Sequence, residues 1–468
     1  MAALIAVICT LLPIGAQTLA DRHSGWMMID FRAYYCAALA QRERFDPYLV
    51  EPLHTCESMT PLPFYRAPDR VTVPAPYPPY ALALLAPLTF LPFPIAAALW
   101  WSLLAACITA GAWALSKLIG RPFSIGWAAF ALSLGLTCFP GGNAMPIAAT
   151  AITFGAFFLQ RGRALAASAC VAIAMVEPNV ALPAAIGLFV STKSARVSLI
   201  VGAALLGALS MLAAGIPLNF EYLGTVVPAH ALSEVSRDNQ YSLSTVVAAF
   251  GLAEKASAML GAASYLLMTF VGVIVGLILR RRYRDPAFAI VIPTAFALLG
   301  GSFVHTEAIA AAVAAALLLF SRTNELRTLS IAAVLLLTVP WMLASSMALF
   351  IVPILPVAYL IHQLWNRERV AWASGGVAAA AIIAVLFVFA SAPAPHVIPQ
   401  LVQTHAFIDP KLAEASWRNF VLGNVTNRAA TWLLRAPSWL GLILVVGVAI
   451  TLCRRFLVGK ASSEAVTS

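Results

Sequence analysis

The sequence predicts an all-α polytopic membrane protein, a bundle of about 12–14 transmembrane helices. Three observations predict it. Hydrophobic residues make up 61% of the 468 and charged residues only 10%, with a mean hydropathy of +0.88, a balance that a water-soluble domain cannot sustain. Apolar runs recur along the whole chain. The lysines and arginines sit in the short stretches between those runs. A formal charge of +10 would suit nucleic acid, but the basic residues form no patch interleaved with aromatics. Nucleic acid is therefore excluded as a partner, and membrane lipids are expected. A length that would make about three soluble domains is read as one membrane domain, residues 1–468.

The apolar runs lie at 3–20, 95–116, 122–139, 144–160, 164–177, 179–191, 197–214, 258–280, 286–301, 305–321, 327–344, 347–364, 370–391 and 437–456. Several fall short of the roughly 20 residues a full span needs. Such helices are expected beside a cavity, where irregular backbone is wetted or covered by protein. Residues 1–20 lack a basic leader and read as a retained helix; cleavage after Thr18-Leu19-Ala20 is the alternative. Residues 78–92, broken by Pro87 and Pro92, read as a short helix leading into the next span.

Charge fixes the expected orientation. With the N-terminus inside and each run crossing once, 17 of the 29 lysines and arginines but only 4 of the 19 acids fall on the inner side. That asymmetry places both termini in the cytoplasm of a bacterial inner membrane, with residues 457–468 as a cytoplasmic tail. Inner connections are short. The outer ones at 21–77, 215–257 and 392–436 are long enough to fold on the periplasmic surface and to carry function. The first should contain two amphipathic helices near 31–44 and 48–58, with Asp46-Pro47-Tyr48 as the turn between them. Cys36 and Cys56 share that loop and can pair if it is periplasmic. Cys9, Cys107, Cys138, Cys170 and Cys453 fall in or beside apolar helices as small core residues, and no zinc spacing is present.

Against so much hydrocarbon, each ionisable group at membrane depth is a candidate for function. Asp30 follows the first run, at the mouth of the bundle; it reads as a catalytic base, or as a helix N-cap or solvated acid. The stiff Thr72–Tyr80 stretch, which contains Tyr77, leads into a helix. Phe139-Pro140-Gly141-Gly142-Asn143 is an outer turn that offers one amide. Glu177-Pro178-Asn179 interrupts an apolar stretch and faces either a wet cavity or the interface. Arg237 to Leu243, with Asn239 inside it, is suited to phosphate or sugar hydroxyls, or is a solvated loop. His305 and Glu307 follow Gly300-Gly301-Ser302, and a lone histidine is as readily structural as functional. All of these fall on one side under an orientation that Lys and Arg alone determine.

The order of these motifs resembles glycosyltransferase family 87, multispanning enzymes of the GT-C fold. Asp30, Tyr34 and Tyr35 with Asp46-Pro47-Tyr48 are similar to its first outer loop, and Tyr77-Pro78-Pro79 through Leu91-Pro92 to its proline-rich entry. Gly141-Gly142-Asn143 resembles its Gly-Gln-x-Asn turn, with glycine where glutamine is usual. Arg161-Gly162-Arg163 followed by Glu177-Pro178 resembles an Arg-Gly-Arg loop and a Lys-Pro break, with the charge reversed at 177. Asn239-Gln240-Tyr241-Ser242-Leu243 is similar to Asn-Gln-Ser-Leu with one residue inserted, and His305 to a later outer histidine. The resemblance covers roughly residues 1–325.

It implies transfer of a mannose-like hexose from a polyprenyl-phosphate carrier to a lipid or glycan acceptor at the outer face. Asp30 would be the base. His305 and Arg237 would hold the donor phosphate through charge-assisted hydrogen bonds. Tyr34, Tyr77, Asn143, Glu177 and Asn239 would line the substrate. No cofactor is implied; a divalent metal is compatible only if the fold brings Asp30 and Glu177 together. Two other readings stand beside this one: a transporter or lipid flippase with an outward cavity, although no internal repeat is visible, and a non-catalytic scaffold that binds a partner through its outer loops.

Overall fold

The computed structural model describes residues 27–60, 71–339 except 236 and 238, 341, 408–424 and 429–467, with 11, 14 and 15 alone before them. The expected spans at 3–20, 347–364 and 370–391 and much of the 392–436 loop lie outside the described residues. Within them the protein is helical, and the pairing of extended backbone is limited to two isolated bridges. It is an all-α polytopic membrane protein.

The first outer segment forms α1 (Ile29–Arg42) and α2 (Val50–Met59), joined as expected through Asp46, whose Oδ1 accepts from Tyr48 N at 2.9 Å. Cys36 and Cys56 are bonded and tie the two helices together. The helix expected near 31–44 is present as α1, which is buried on nearly every side rather than along one face. Phe31 stacks between Trp100 and Phe93, and Arg32 is buried beside Glu57. Burial pushes the Glu57 carboxyl up to about 7, against the pull of Arg32.

The proline-rich entry leads to α3 (Pro79–Leu85), a 3₁₀ turn at Ala86–Phe90 and the long α4 (Phe93–Ile119). The prolines punctuate these elements as expected, each tolerated in a first turn that needs no donor. Next come α5 (Phe123–Phe130), α6 (Met145–Gln160), α7 (Ala164–Ala174) and α8 (Pro178–Ser191), all short and apolar.

α9 (Lys193–Glu221) breaks at Gly215, where φ is +73° and Pro217 follows, near where the apolar run ends. Beyond the break the chain continues through Tyr222–Val226 into α10 (Val227–Glu234), then α11 (Leu243–Ala249). The 215–257 segment, expected to be long enough to fold, is largely helical. The remaining elements are α12 (Glu254–Tyr283), α13 (Phe288–Gly300), a 3₁₀ turn at Ala308–Ala312, α14 (Val313–Arg322), α15 (Arg327–Thr338), α16 (Ala413–Asn424) and α17 (Ala429–Thr467).

Four stretches among the described residues are long and apolar enough to cross a membrane: α4, Lys193–Glu234, α12 and Arg435–Val458 within α17. Eight shorter apolar helices stand beside them, as the short runs predicted. One apolar core joins α4 to α8 with α13, α14, α15 and α17. A second gathers α1, α3 and α16 around the first turns of α4 and the start of α10. At one end of α6 and α13, Asp285 is clasped by Arg322 at 2.7 Å and Gln160 at 2.8 Å. The polar motifs collect at the other end.

Candidate active site

The site begins where α1 meets the turn before α6. Met28 N donates to Pro140 O at 2.8 Å and Asp30 N to Gly141 O at 2.9 Å. These carbonyls satisfy donors that every helix start leaves unpaired. Met28 is the N-cap, with no side-chain cap bond, so the Asp30 carboxylate is not consumed in capping. The turn needs Gly142: its φ is +75°, and a Cβ there would lie 2.8 Å from Phe31 Cβ. That packing explains glycine in place of the glutamine seen in the resembling motif.

Asp30 Oδ2 accepts instead from Asn143 Nδ2 at 3.0 Å, while Asn143 Oδ1 accepts from Met145 N at 2.9 Å and so fixes the amide's orientation. The same Nδ2 lies 3.4 Å from the Tyr34 hydroxyl. The Tyr34 and Tyr77 rings meet edge to face at 4.6 Å, and the Tyr77 hydroxyl donates to Glu177 Oε1. Asp30, Asn143, Tyr34, Tyr77 and Glu177 therefore form one connected network. The helix break at Glu177 is supported from both sides, by Tyr80 donating to Met175 O at 2.8 Å and Tyr265 to Asn179 O at 2.9 Å. Tyr48 and Gln41 hold the entry strand by bonding the Tyr77 and Pro79 carbonyls.

The second half of the site is built by a short antiparallel pairing. Tyr241 N donates to Val304 O at 2.7 Å and Leu243 N to Gly301 O at 3.2 Å, with Gln240 bridged to His305. The motifs at 239–243 and 301–305, some sixty residues apart, are thereby laid side by side. Val304 N donates to Gln240 Oε1 at 2.8 Å, which turns the Gln240 amide nitrogen toward Glu234 and, at 3.1 Å, toward His305 Nδ1. A nitrogen that accepts carries no hydrogen, so His305 is a neutral imidazole with its hydrogen on Nε2. A neutral Nε2–H can still make a charge-assisted hydrogen bond to an anionic oxygen.

Arg237 is bonded to both oxygens of Glu234, at 2.9 and 3.1 Å, and its guanidinium lies over the Trp417 ring. Asn239 Oδ1 is buried with no partner, and Thr306 bonds the Asn239 carbonyl. His305 Nε2 lies 3.7 Å from Glu234 Oε2.

Electrostatics joins the two halves. Burial pushes the Asp30 carboxyl above the ordinary range; the Asn143 hydrogen bond and the charge of Arg237 oppose that rise, and Glu234 adds to it. Asp30 also lies within electrostatic reach of Glu177 and Glu307. Asp30 and His305 do not touch; Arg237 acts on Asp30 through its charge and reaches His305 through Glu234. The arrangement offers one carboxylate held by a neutral amide and, within electrostatic reach of it, a guanidinium bonded to Glu234, near which the His305 N–H also lies.

Among the described residues, His230, Glu234 and His305 bring ligand-type atoms within 4.8 Å of one another. The set does not fit a metal as it stands. Glu234 is already engaged by Arg237 and Gln240, and His305 is fixed by Gln240 in the tautomer described, so a cation would have to displace both. Asp30 and Glu177, each with its own hydrogen-bond partner, do not join the set.

His230, Glu234 and Glu414 were not singled out by the sequence. His230, Glu234 and Arg237 follow one another at i, i+4 and i+3, a spacing that marks one helix face. That signal becomes legible only once 227–234 is known to be helical. Glu414 offers no such signal.

Residues 76–302 match the family model of glycosyltransferase family 87. No curated protein and no solved structure matches the chain. The matched stretch carries Tyr77, Asn143, Glu177, Arg237 and Asn239, while Asp30 and His305 flank it. The match spans a little under half of the chain and supports the likeness to glycosyltransferase family 87 that the motifs carry.

Proposed function

We propose that the protein transfers a mannose-like hexose from a polyprenyl-phosphate carrier to a lipid or glycan acceptor at the periplasmic face of a bacterial inner membrane. The observation that carries this reading is Asp30: a half-buried carboxylate held, among the described residues, by an amide rather than by a cation, with the Arg237 guanidinium within electrostatic reach. A carboxylate left unneutralised is available as a base. The Cys36–Cys56 bond supports an oxidising, outer location for α1 and α2.

In this mechanism Asp30 takes the proton of the acceptor hydroxyl as its oxygen attacks the anomeric carbon. The carbon–oxygen bond to phosphate breaks, and its electron pair moves to the departing phosphate. Arg237 and His305 Nε2–H stabilise that developing charge. Tyr34, Tyr77, Glu177 and Asn239 face the sugar or the carrier. Asn143 serves the substrate indirectly, by holding Asp30. Glu177, with one oxygen taken by Tyr77, favours hydroxyl groups over a second phosphate at its end of the network.

The test is transfer by the full-length protein in lipid vesicles, supplied with labelled polyprenyl-phosphate hexoses and a glycolipid acceptor extract. Transfer by wild type and its loss in Asp30→Asn at unchanged thermal stability is expected. Transfer by Asp30→Asn at the wild-type rate would remove Asp30 from the base role. Movement of lipid across the bilayer without any transfer would favour a flippase.

A further inference from the structure

α16 lies outside the family-matched stretch, yet it reaches the phosphate end of the site. Its start is anchored on α2: Val50 N donates to Lys411 O at 2.7 Å and Ala413 N to Tyr48 O at 2.9 Å. From that anchor Glu414 projects onto α10. Its Oε1 lies 2.9 Å from His230 Nδ1, and its Oε2 accepts from Ser233 Oγ at 2.7 Å. One turn later Trp417 lies under the Arg237 guanidinium, 5.1 Å from its carbon. Arg418 bonds Glu254 at 2.7 Å and so ties α16 to α12.

Glu414 and His230 are both buried. A carboxylate only accepts, so His230 Nδ1 carries the hydrogen. The ring's other nitrogen is then its one remaining functional group. The ring stacks on His305 with centroids 6.0 Å apart and planes at 18°, and meets Phe303 edge-on. The groups facing it are Glu414 and Ser233 on one side, Glu234 and Arg237 from its own segment, and His305 across the paired strands.

We propose that His230 is a further catalytic residue at the phosphate end, and that Glu414 is a positioning residue that fixes its tautomer and ring orientation. This rests on the reading of the protein as a polyprenyl-phosphate-dependent transferase. As an imidazolium, His230 donates from Nδ1 to Glu414 and from Nε2 to the phosphate oxygen that receives the electron pair of the breaking bond. The acceptor's proton goes to Asp30, and His230 keeps both of its own.

Initial rates of the full-length protein in vesicles, with a polyprenyl-phosphate hexose varied, test this. Glu414→Gln should lower kcat roughly ten- to a hundredfold, with the donor KM within about threefold. Glu414→Asp should recover part of that loss. His230→Asn, close in size to imidazole, should lose at least as much. The double variant should be no slower than His230→Asn alone, because Glu414 acts through the ring. Losses that multiply in the double variant, or a wild-type kcat in either single variant, would overturn the proposal. A wild type that transfers from no polyprenyl-phosphate sugar sinks the donor assignment and this proposal with it. A transferring wild type with unimpaired variants sinks this proposal alone.

Discussion

Asp285 and Asp30 are both acids at helix ends in the same bundle, and they are treated in opposite ways. Asp285 is only 4% exposed; Arg322 and Gln160 share its Oδ2, and Ala287 N bonds its Oδ1. Each of its oxygens has a partner, and one partner is a cation. Such a group clasps α6, α13 and α14 together and has no free valence for chemistry. Among the described residues Asp30 receives a neutral amide and no contacting cation. Its charge is kept at a cost that burial makes visible in the raised pKa. A buried acid that is fully paired holds a structure; one deliberately under-paired is available to react.

Four measurements can break or sharpen that contrast. The largest effect is expected at Asp30→Asn: a loss of roughly 10²–10⁴-fold in transfer rate at an unchanged thermal midpoint. Because Asp30 works ionised and its pKa is raised, the acid limb of kcat/KM in wild type should lie above the ordinary aspartate value of about 3.9. Next comes Cys36→Ser with Cys56→Ser, which frees a loop closed over 20 residues. It should lower stability by about 3 kcal/mol in a chemical or thermal unfolding series.

Asp285→Asn should cost about 1–3 kcal/mol of stability, less than a fully buried pair would because Arg322 is partly exposed. Donor KM and kcat should stay put in that variant. A transfer defect there at full stability would erase the distinction between the two acids. The smallest effect is expected at Asn143→Ala, about fivefold in kcat. Its hydrogen bond holds the Asp30 pKa down, so removing it should move the acid limb to higher pH. A limb that stays fixed would show that Asn143 does not act on Asp30.

Much of this was legible in the sequence, and what was hidden was hidden for physical reasons. Apolar runs gave α4 through α8 within a few residues, because lipid-facing and core-facing surfaces both demand hydrocarbon. α10 was missed because mixed residues after Gly215 and Pro217 look like a loop when no apolar run marks them. Asp30, Tyr34, Tyr77, Asn143 and Glu177 stood out as polar groups in an apolar chain, and the fold joins them in one network. The pairing of 239–243 with 301–305 leaves no periodicity to read, since a single bridge is too short to alternate. Glu234, which links Arg237 to His305, sits just before the polar run at 237–243, in a stretch that sequence alone marked only as an outer connection.

The contact between residues 48–50 and 411–413 has a consequence for how the protein comes into being. Ribosomes release the first partner early and the second about 360 residues later. A nascent protein stopped near residue 400 would already contain the whole family-matched stretch, Asp30 and His305, yet would lack Glu414, Trp417 and the strap that seats them. The contact therefore closes one of the longest loops in the fold, and α16 can take its seat only on an α1–α2 unit that has already formed.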